Sequence, residues 1–179
     1  MLLCDQYIAG FVDGEGCFAL SMRKDIRHER KSKATYFSWK ASFVIALRAD
    51  DSELLFAIKN HFNCGRVNFS KGSKSSARFE ISDLNQLSQI VIPFFDRNPL
   101  HGKKGKDYDK WKEAVGVLMK YKNLRGSTNA IKGKRGFFEV PWEEKDKRKL
   151  IKIKKETKKF KSFRAKELIR GDLERQILN

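Results

Sequence analysis

Two carboxylates, Asp13 and Glu15, stand among glycines in the run Ile8-Ala9-Gly10-Phe11-Val12-Asp13-Gly14-Glu15-Gly16. The residues before them predict a short helix over 5–13: Asp5 is a capping-type residue, Tyr7, Ile8, Phe11 and Val12 recur at helical spacing, and glycines follow. A tight turn at Gly14–Gly16 would end it. A helix C-terminus gathers unpaired carbonyl oxygens and the negative end of the dipole, so a carboxylate just beyond it is unfavourable unless a cation binds. Glu15 and the carbonyl of Gly14 therefore make a candidate site for a hard cation. Magnesium, with oxygen ligands and retained waters, suits it, and manganese or calcium could substitute in binding. Asp13 and Glu15 are two positions apart and point to different sides of a helix, so only one can face a partner's cleft. Asp13 is read as a capping or orienting group. Taken alone, Asp-Gly-Glu-Gly is an ordinary turn with a solvated carboxylate; its weight comes from the elements around it.

Those elements are legible from periodicity. Ala9 and Gly10 leave one side of the first helix almost bare, so a second helix can approach with backbone against backbone. Ile8, Ala9, Gly10, Phe11 and Val12 are the candidate interface. Phe18, Leu20 and Met22 then alternate with Ala19, Ser21 and Arg23. Phe37, Trp39, Ala41, Phe43, Ile45 and Leu47 alternate with Ser38, Lys40, Ser42 and Val44. Period two over such lengths predicts two long strands, each with one apolar face, joined by a charged connection over 27–35. Asp50 and Ser52 precede Leu54, Leu55, Ile58 and Phe62, an N-capped amphipathic helix stopped by Asn63 and Gly65. Val67 and Phe69, a turn at 71–76, then Phe79 and Ile81 predict a hairpin. A helix with Leu84, Leu87, Ile90 and Val91 follows, closed by Pro93. The order is α-β-β-α-β-β-α, an α+β fold. Tyr108, Trp111, Val115, Leu118 and Met119 mark another helix over 107–122. Two more, loosely packed or ordered by a partner, are expected after Pro141. No internal repeat is visible.

The formal charge of +17 favours a polyanionic partner, by attraction and by counterion release. Residues 1–100 hold 14 Lys/Arg against 11 Asp/Glu, and residues 101–179 hold 25 against 11, so the second half is the expected source of non-specific phosphate affinity. The three cysteines, Cys4, Cys17 and Cys64, have no C-x-x-C spacing, which argues against a disulfide framework or a structural zinc site. A reducing, intracellular setting is expected, in an organelle or a bacterial or archaeal cytoplasm. No apolar run reaches a membrane span, and Asp13 and Glu15 interrupt the first hydrophobic segment, against a signal peptide.

The run Ile8–Gly16 resembles the LAGLIDADG motif of homing endonucleases, matching it at Ala9, Gly10, Asp13 and Gly16 and conservatively elsewhere. The resemblance covers roughly residues 4–122. It implies the αββαββα fold, with a four-stranded antiparallel DNA-binding sheet backed by helices, over residues 1–125, and a basic helical C-terminal extension of the same unit over 126–179. It implies that the penultimate motif position, here Glu15 in place of the commoner aspartate, is the metal ligand. A lysine beyond the sheet is implied near the cleavage centre, where it would stabilise phosphate charge or tune the attacking water. Spacing from Pro93 and Pro99 favours Lys104, with Lys103 in reserve. The family's polar residue near the end of the second strand has no counterpart here, where Leu47 and Arg48 stand. One motif per chain implies a homodimer on double-stranded DNA with a near-palindromic target. The sheet would read the major groove through Ser21, Arg23, Asp25, Ser38, Lys40, Ser42, Arg66, Asn68, Arg78 and Glu80.

The function this implies is a metal-dependent, site-specific DNA endonuclease of group I intron homing. The alternatives are an RNA maturase on the same fold, with intron RNA as partner, and a DNA-binding protein without catalysis. A restriction-type set from Asp13 and Glu29-Arg30-Lys31 is disfavoured because alternation stops by Ile26, leaving Glu29 in a loop. Histidines 28, 61 and 101 lack the pairing of an HNH site, and 71–76 is no Walker loop.

Overall fold

The structure, a computed structural model, describes residues 2–26, 35–70, 75–122 and 142–161. Helix α1 (Asp5–Glu15) runs directly into β1 (Gly16–Ile26), which pairs with β2 (Thr35–Arg48); a single 3-10 turn, Ala49–Asp51, leads into α2 (Ser52–Phe62). The hairpin β3 (Arg66–Phe69) and β4 (Ser76–Ile81) follows. Then come α3 (Leu84–Gln86), a π-helical stretch Leu87–Val91, α4 (Ile92–Arg97), α5 (Lys103–Lys120) and α6 (Glu144–Lys161). The sheet is antiparallel with order β1-β2-β4-β3.

The register keeps the period-two pattern. Leu20 pairs with Ala41, Ile45 with Phe79, and Phe43 with Ile81, so these side chains share one face, under the helices. Phe18, Phe43, Ile45, Phe79 and Ile81 are buried there. Phe18 is the hub, with ring centroids 5.1 Å from Trp111, 5.2 Å from Tyr108, 5.3 Å from Phe95 and 5.4 Å from Phe43. Each such aromatic pair contributes about 0.5–1.5 kcal/mol beyond area burial. The indole N–H of Trp111 donates to the Ala19 carbonyl at 3.2 Å, tying α5 to β1.

Four expectations about where elements begin and end need correction. Helix α1 continues through Gly14 to Glu15. The close turn falls at Gly16 alone, where a Cβ would come 2.5 Å from the Val12 side chain. Asp50 and Ser52 make no side-chain cap: a 3-10 turn precedes α2, and Arg48 pairs with Asp50 at 2.6 Å. Asn63 does end α2, in the left-handed region at φ 48°. Pro93 does not close its helix. The π-helical stretch ends just before it, so Pro93 falls in the first turn of α4, where a missing N–H costs little. Finally, α5 begins at Lys103 rather than 107.

Helix α6 is not loosely packed. Leu150 and Ile153 are buried in the common core, and the Tyr121 hydroxyl donates to Asp146 at 2.8 Å. The helix runs antiparallel to α5, with Lys149 3.3 Å from Glu113 and Lys110 3.9 Å from Glu156. The second expected tail helix, the 27–34 connection and the tip of the β3–β4 turn lie outside the described residues.

Candidate catalytic centre and nucleic-acid interface

The end of α1 sets the geometry of the centre. Glu15 is the last helical residue and is exposed. Beside it, the Lys104 ammonium donates to the carbonyls of Asp13, at 3.3 Å, and of Gly14. A cation on the last carbonyls of a helix neutralises the negative dipole end. Lys104 reaches this place because Asp13 pins the start of α5: one Asp13 oxygen accepts from the backbone N–H of His101 at 2.9 Å and of Gly102 at 2.7 Å. Residue 102 must be small, since a Cβ there would lie 2.8 Å from the other Asp13 oxygen. Asp13 is thus the orienting group that its position suggests. Lys103, in the same first turn, is exposed.

A divalent cation fits this donor set in chemistry. The oxygens are hard, and the helix-end carbonyls already hold a positive group. No three His, Cys, Asp or Glu side chains converge among the described residues, so no such three-ligand set stands in one copy's described residues. Gly14, read from sequence as a ligand through its carbonyl, has that oxygen engaged by Lys104.

The candidate interface residues on α1 separate into two faces. Ile8 and Val12 are wholly buried in the chain's own core, and Ala9 is 7% exposed, so the expectation that these three form an outer contact face is corrected. The face left open carries Tyr7, Gly10 and Gly14, with Phe11 half-buried and its ring stacked on Tyr7, centroids 6.2 Å apart. Among the described residues, nothing outside the helix's own backbone lies within 4 Å of a Cβ built at Gly10 or Gly14. A hollow of about 260 Å³ lined by Gln6, Gly10, Arg97, Pro99 and His101 opens beside it. Sequence reading missed Tyr7 and Gly14 on this face, although their i, i+3, i+7 spacing with Gly10 was available.

The candidate reading residues lie on the other side of the sheet. Ser21 pairs with Lys40, Arg23 with Ser38, Asn68 with Arg78, and Arg66 with Glu80, which puts all of them, with Ser42 and Asp25, on the face away from the helices. The side chains of Arg23 and Asp25 lie outside the described residues. Ser38 is half-buried and Ser42 is buried between neighbours, while Ser21, Arg66, Asn68 and Arg78 are exposed. Glu80 is not free to act alone: Lys40 lies 2.6 Å from it, Arg66 3.7 Å and Arg78 3.9 Å. Burial opposes its ionisation, but the hydrogen bond from Lys40 and the charges of Lys40, Arg78 and Arg66 outweigh burial and hold the carboxyl below the ordinary glutamate range. At the far end of β2, Leu47 pairs with Ala77 on the core side, and Arg48 is exposed on the outer one.

Residues 8–115 match the family model described as LAGLIDADG endonuclease. The chain is 31% identical over 120 residues to a "Probable intron-encoded endonuclease 2" of Neurospora crassa, an alignment covering 65% of this chain and 25% of that protein. It is 27% identical to "Homing endonuclease I-ApeII" of Aeropyrum pernix, over 68% of this chain and 70% of that one. The solved I-LtrWI LAGLIDADG homing endonuclease bound to target DNA superposes with a TM-score of 0.63 at 26% identity, over 85% of this chain and 43% of that one. The chain therefore spans about a quarter of the Neurospora relative and under half of the DNA-bound structure. An open-faced helix ending in an acid, the antiparallel sheet it enters, and a family match over 108 of 179 residues agree: the chain belongs to the LAGLIDADG endonuclease family.

Proposed function

We propose that this chain is a site-specific double-strand DNA endonuclease that acts as a homodimer, cuts a pseudo-palindromic site with magnesium, and serves group I intron homing. The observation that carries the reading is the exposed Glu15 at the end of a helix whose open face, Tyr7, Gly10 and Gly14, can take a second copy of itself. The run occurs once in the 179 residues, and a second copy would supply the second acid. The DNA-bound relative, over twice this chain's matched span, is consistent with two such units on one duplex.

Glu15 would hold the metal through its carboxylate, the Gly14 carbonyl being taken by Lys104, and the metal would supply a more acidic bound water and offset charge at the attacked phosphate. The chain's own residues do the rest. Asp13 fixes the first turn of α5 and so holds the Lys104 ammonium at the scissile end of α1, where it stabilises phosphate charge. Arg66, Asn68, Arg78 and Lys40 face the major groove, where arginine suits guanine edges and asparagine suits adenine. Glu80 orients three of these cations.

The test is incubation with DNA of the uninterrupted host gene in magnesium. Cutting at the exon junction by wild type, with binding but no cutting by Glu15→Gln, is the expected result. Comparable nicking by Glu15→Gln rejects the assignment, and a lone subunit on the substrate in sedimentation rejects the dimer.

A further inference from the structure

The sheet face does not hold most of the positive charge. Helix α6 carries ten Lys/Arg against three Asp/Glu, a net of +7 in 18 residues. Its two faces are sharply different. Asp146, Leu150, Ile153 and Thr157 are buried and recur at i, i+4, i+7, i+11, which is one stripe. Arg148, Lys152 and Lys155 are exposed and recur at i, i+4, i+7 on the diametrically opposite side, with one acid, Glu144, a turn before them and 3.2 Å from Arg148. Lys145, Lys147 and Lys149 are exposed alongside. Because α6 packs through α5 and its Lys154 lies 5.8 Å over the ring of Trp39, a core-side residue of the sheet, its basic stripe is on the helical side of the molecule, across the sheet from Lys40, Arg66 and Arg78.

We infer that this stripe binds the phosphate backbone of a second segment of double-stranded DNA, without sequence preference, while the sheet holds the first. The inference rests on the sheet taking a duplex as proposed above. Three observations select the occupant. The stripe spans about 10 Å along the helix, long enough to meet several of the phosphates that a duplex spaces at about one charge per 1.7 Å. Its described exposed surface carries no aromatic ring on which unstacked bases of single-stranded RNA could lie. Ile151 is its one exposed large apolar side chain among the described residues, too little to insert into a lipid surface. A protein with two duplex-binding faces can pass from one DNA segment to another through a complex holding both, which shortens the search for a rare target.

The experiment follows release of the full chain from fluorescent target duplex in EDTA, against increasing unlabelled random-sequence duplex. Transfer through a complex of both segments makes the release rate proportional to competitor, so that doubling one doubles the other. The variant Arg148→Gln/Lys152→Gln/Lys155→Gln should make the rate independent of competitor while target remains bound, and lower the salt slope for the second duplex by about 2.7. Lys152→Arg/Lys155→Arg should retain the proportionality. A competitor-independent rate in wild type overturns the inference, as does proportionality preserved in the triple Gln variant. So does acceleration by structured RNA or by anionic vesicles but not by duplex DNA. Failure of the underlying reading looks different, because then no target duplex is retained at all.

Discussion

Helices α1 and α6 are used in opposite ways. Helix α1 carries three acids, Asp5, Asp13 and Glu15, and no base, and each of its informative positions is unique: bare at Gly10 and Gly14, orienting at Asp13, acidic at Glu15. Helix α6 is densely basic, and its exposed cations are near-equivalent. The chemistry proposed for α1 would depend on where one atom stands, whereas the attraction inferred for α6 would depend on how many charges stand anywhere on a face. Substitutions should therefore act in an all-or-none manner on the first helix and by increments on the second.

Glu15→Gln puts the greatest strain on that contrast: cleavage should fall on the order of 10³-fold or more with target affinity retained, as read by cutting and gel-shift assays side by side. A graded loss of a few-fold would make α1 resemble α6. Leu150→Ala tests whether α6 is structural as well as basic. Truncating this wholly buried side chain should cost about 2–5 kcal/mol in denaturant melts, against under about 0.5 kcal/mol for Lys152→Gln; equal costs would remove the distinction between its faces. Gly10→Leu should weaken self-association about tenfold or more, with an unchanged melting transition at concentrations where only monomer is present, because no other element among the described residues lies within 4 Å of that Cβ; unchanged association would place the dyad elsewhere. Among substitutions at the candidate site, the smallest effect is at Glu80. Its folded-state carboxyl titrates below the unfolded value, so the stability it contributes is present above about pH 4.3 and lost as pH falls through the folded value. Glu80→Gln should remove that part of the acid dependence, on the order of 1 kcal/mol, seen as convergence of wild-type and variant melts at low pH.

How much of this was legible beforehand varied with the range of the interaction. The strands and their outward residues followed from period two, because a half-buried sheet imposes that pattern directly. The acid at the helix end followed from glycines and dipole. Position 93 misled because a proline forbids the interior of a helix but not its first turn, and nothing local announces the π-helical stretch before it. The early start of α5 was invisible for a related reason: the backbone leading into it is held by Asp13, from 88 residues away. Ile8 and Val12 were placed with their open neighbours because apolar residues surround a short helix on most sides, and only the packing of α5 and the sheet decides which side is inward.

The bond from Asp13 to the backbone at 101 and 102 means that the acid and the lysine are parts of one rigid mount. In the homodimer proposed above, whatever tilts α1 would carry the ammonium with it, so alignment of the pair and alignment of the charged group would be a single mechanical adjustment instead of two separate searches.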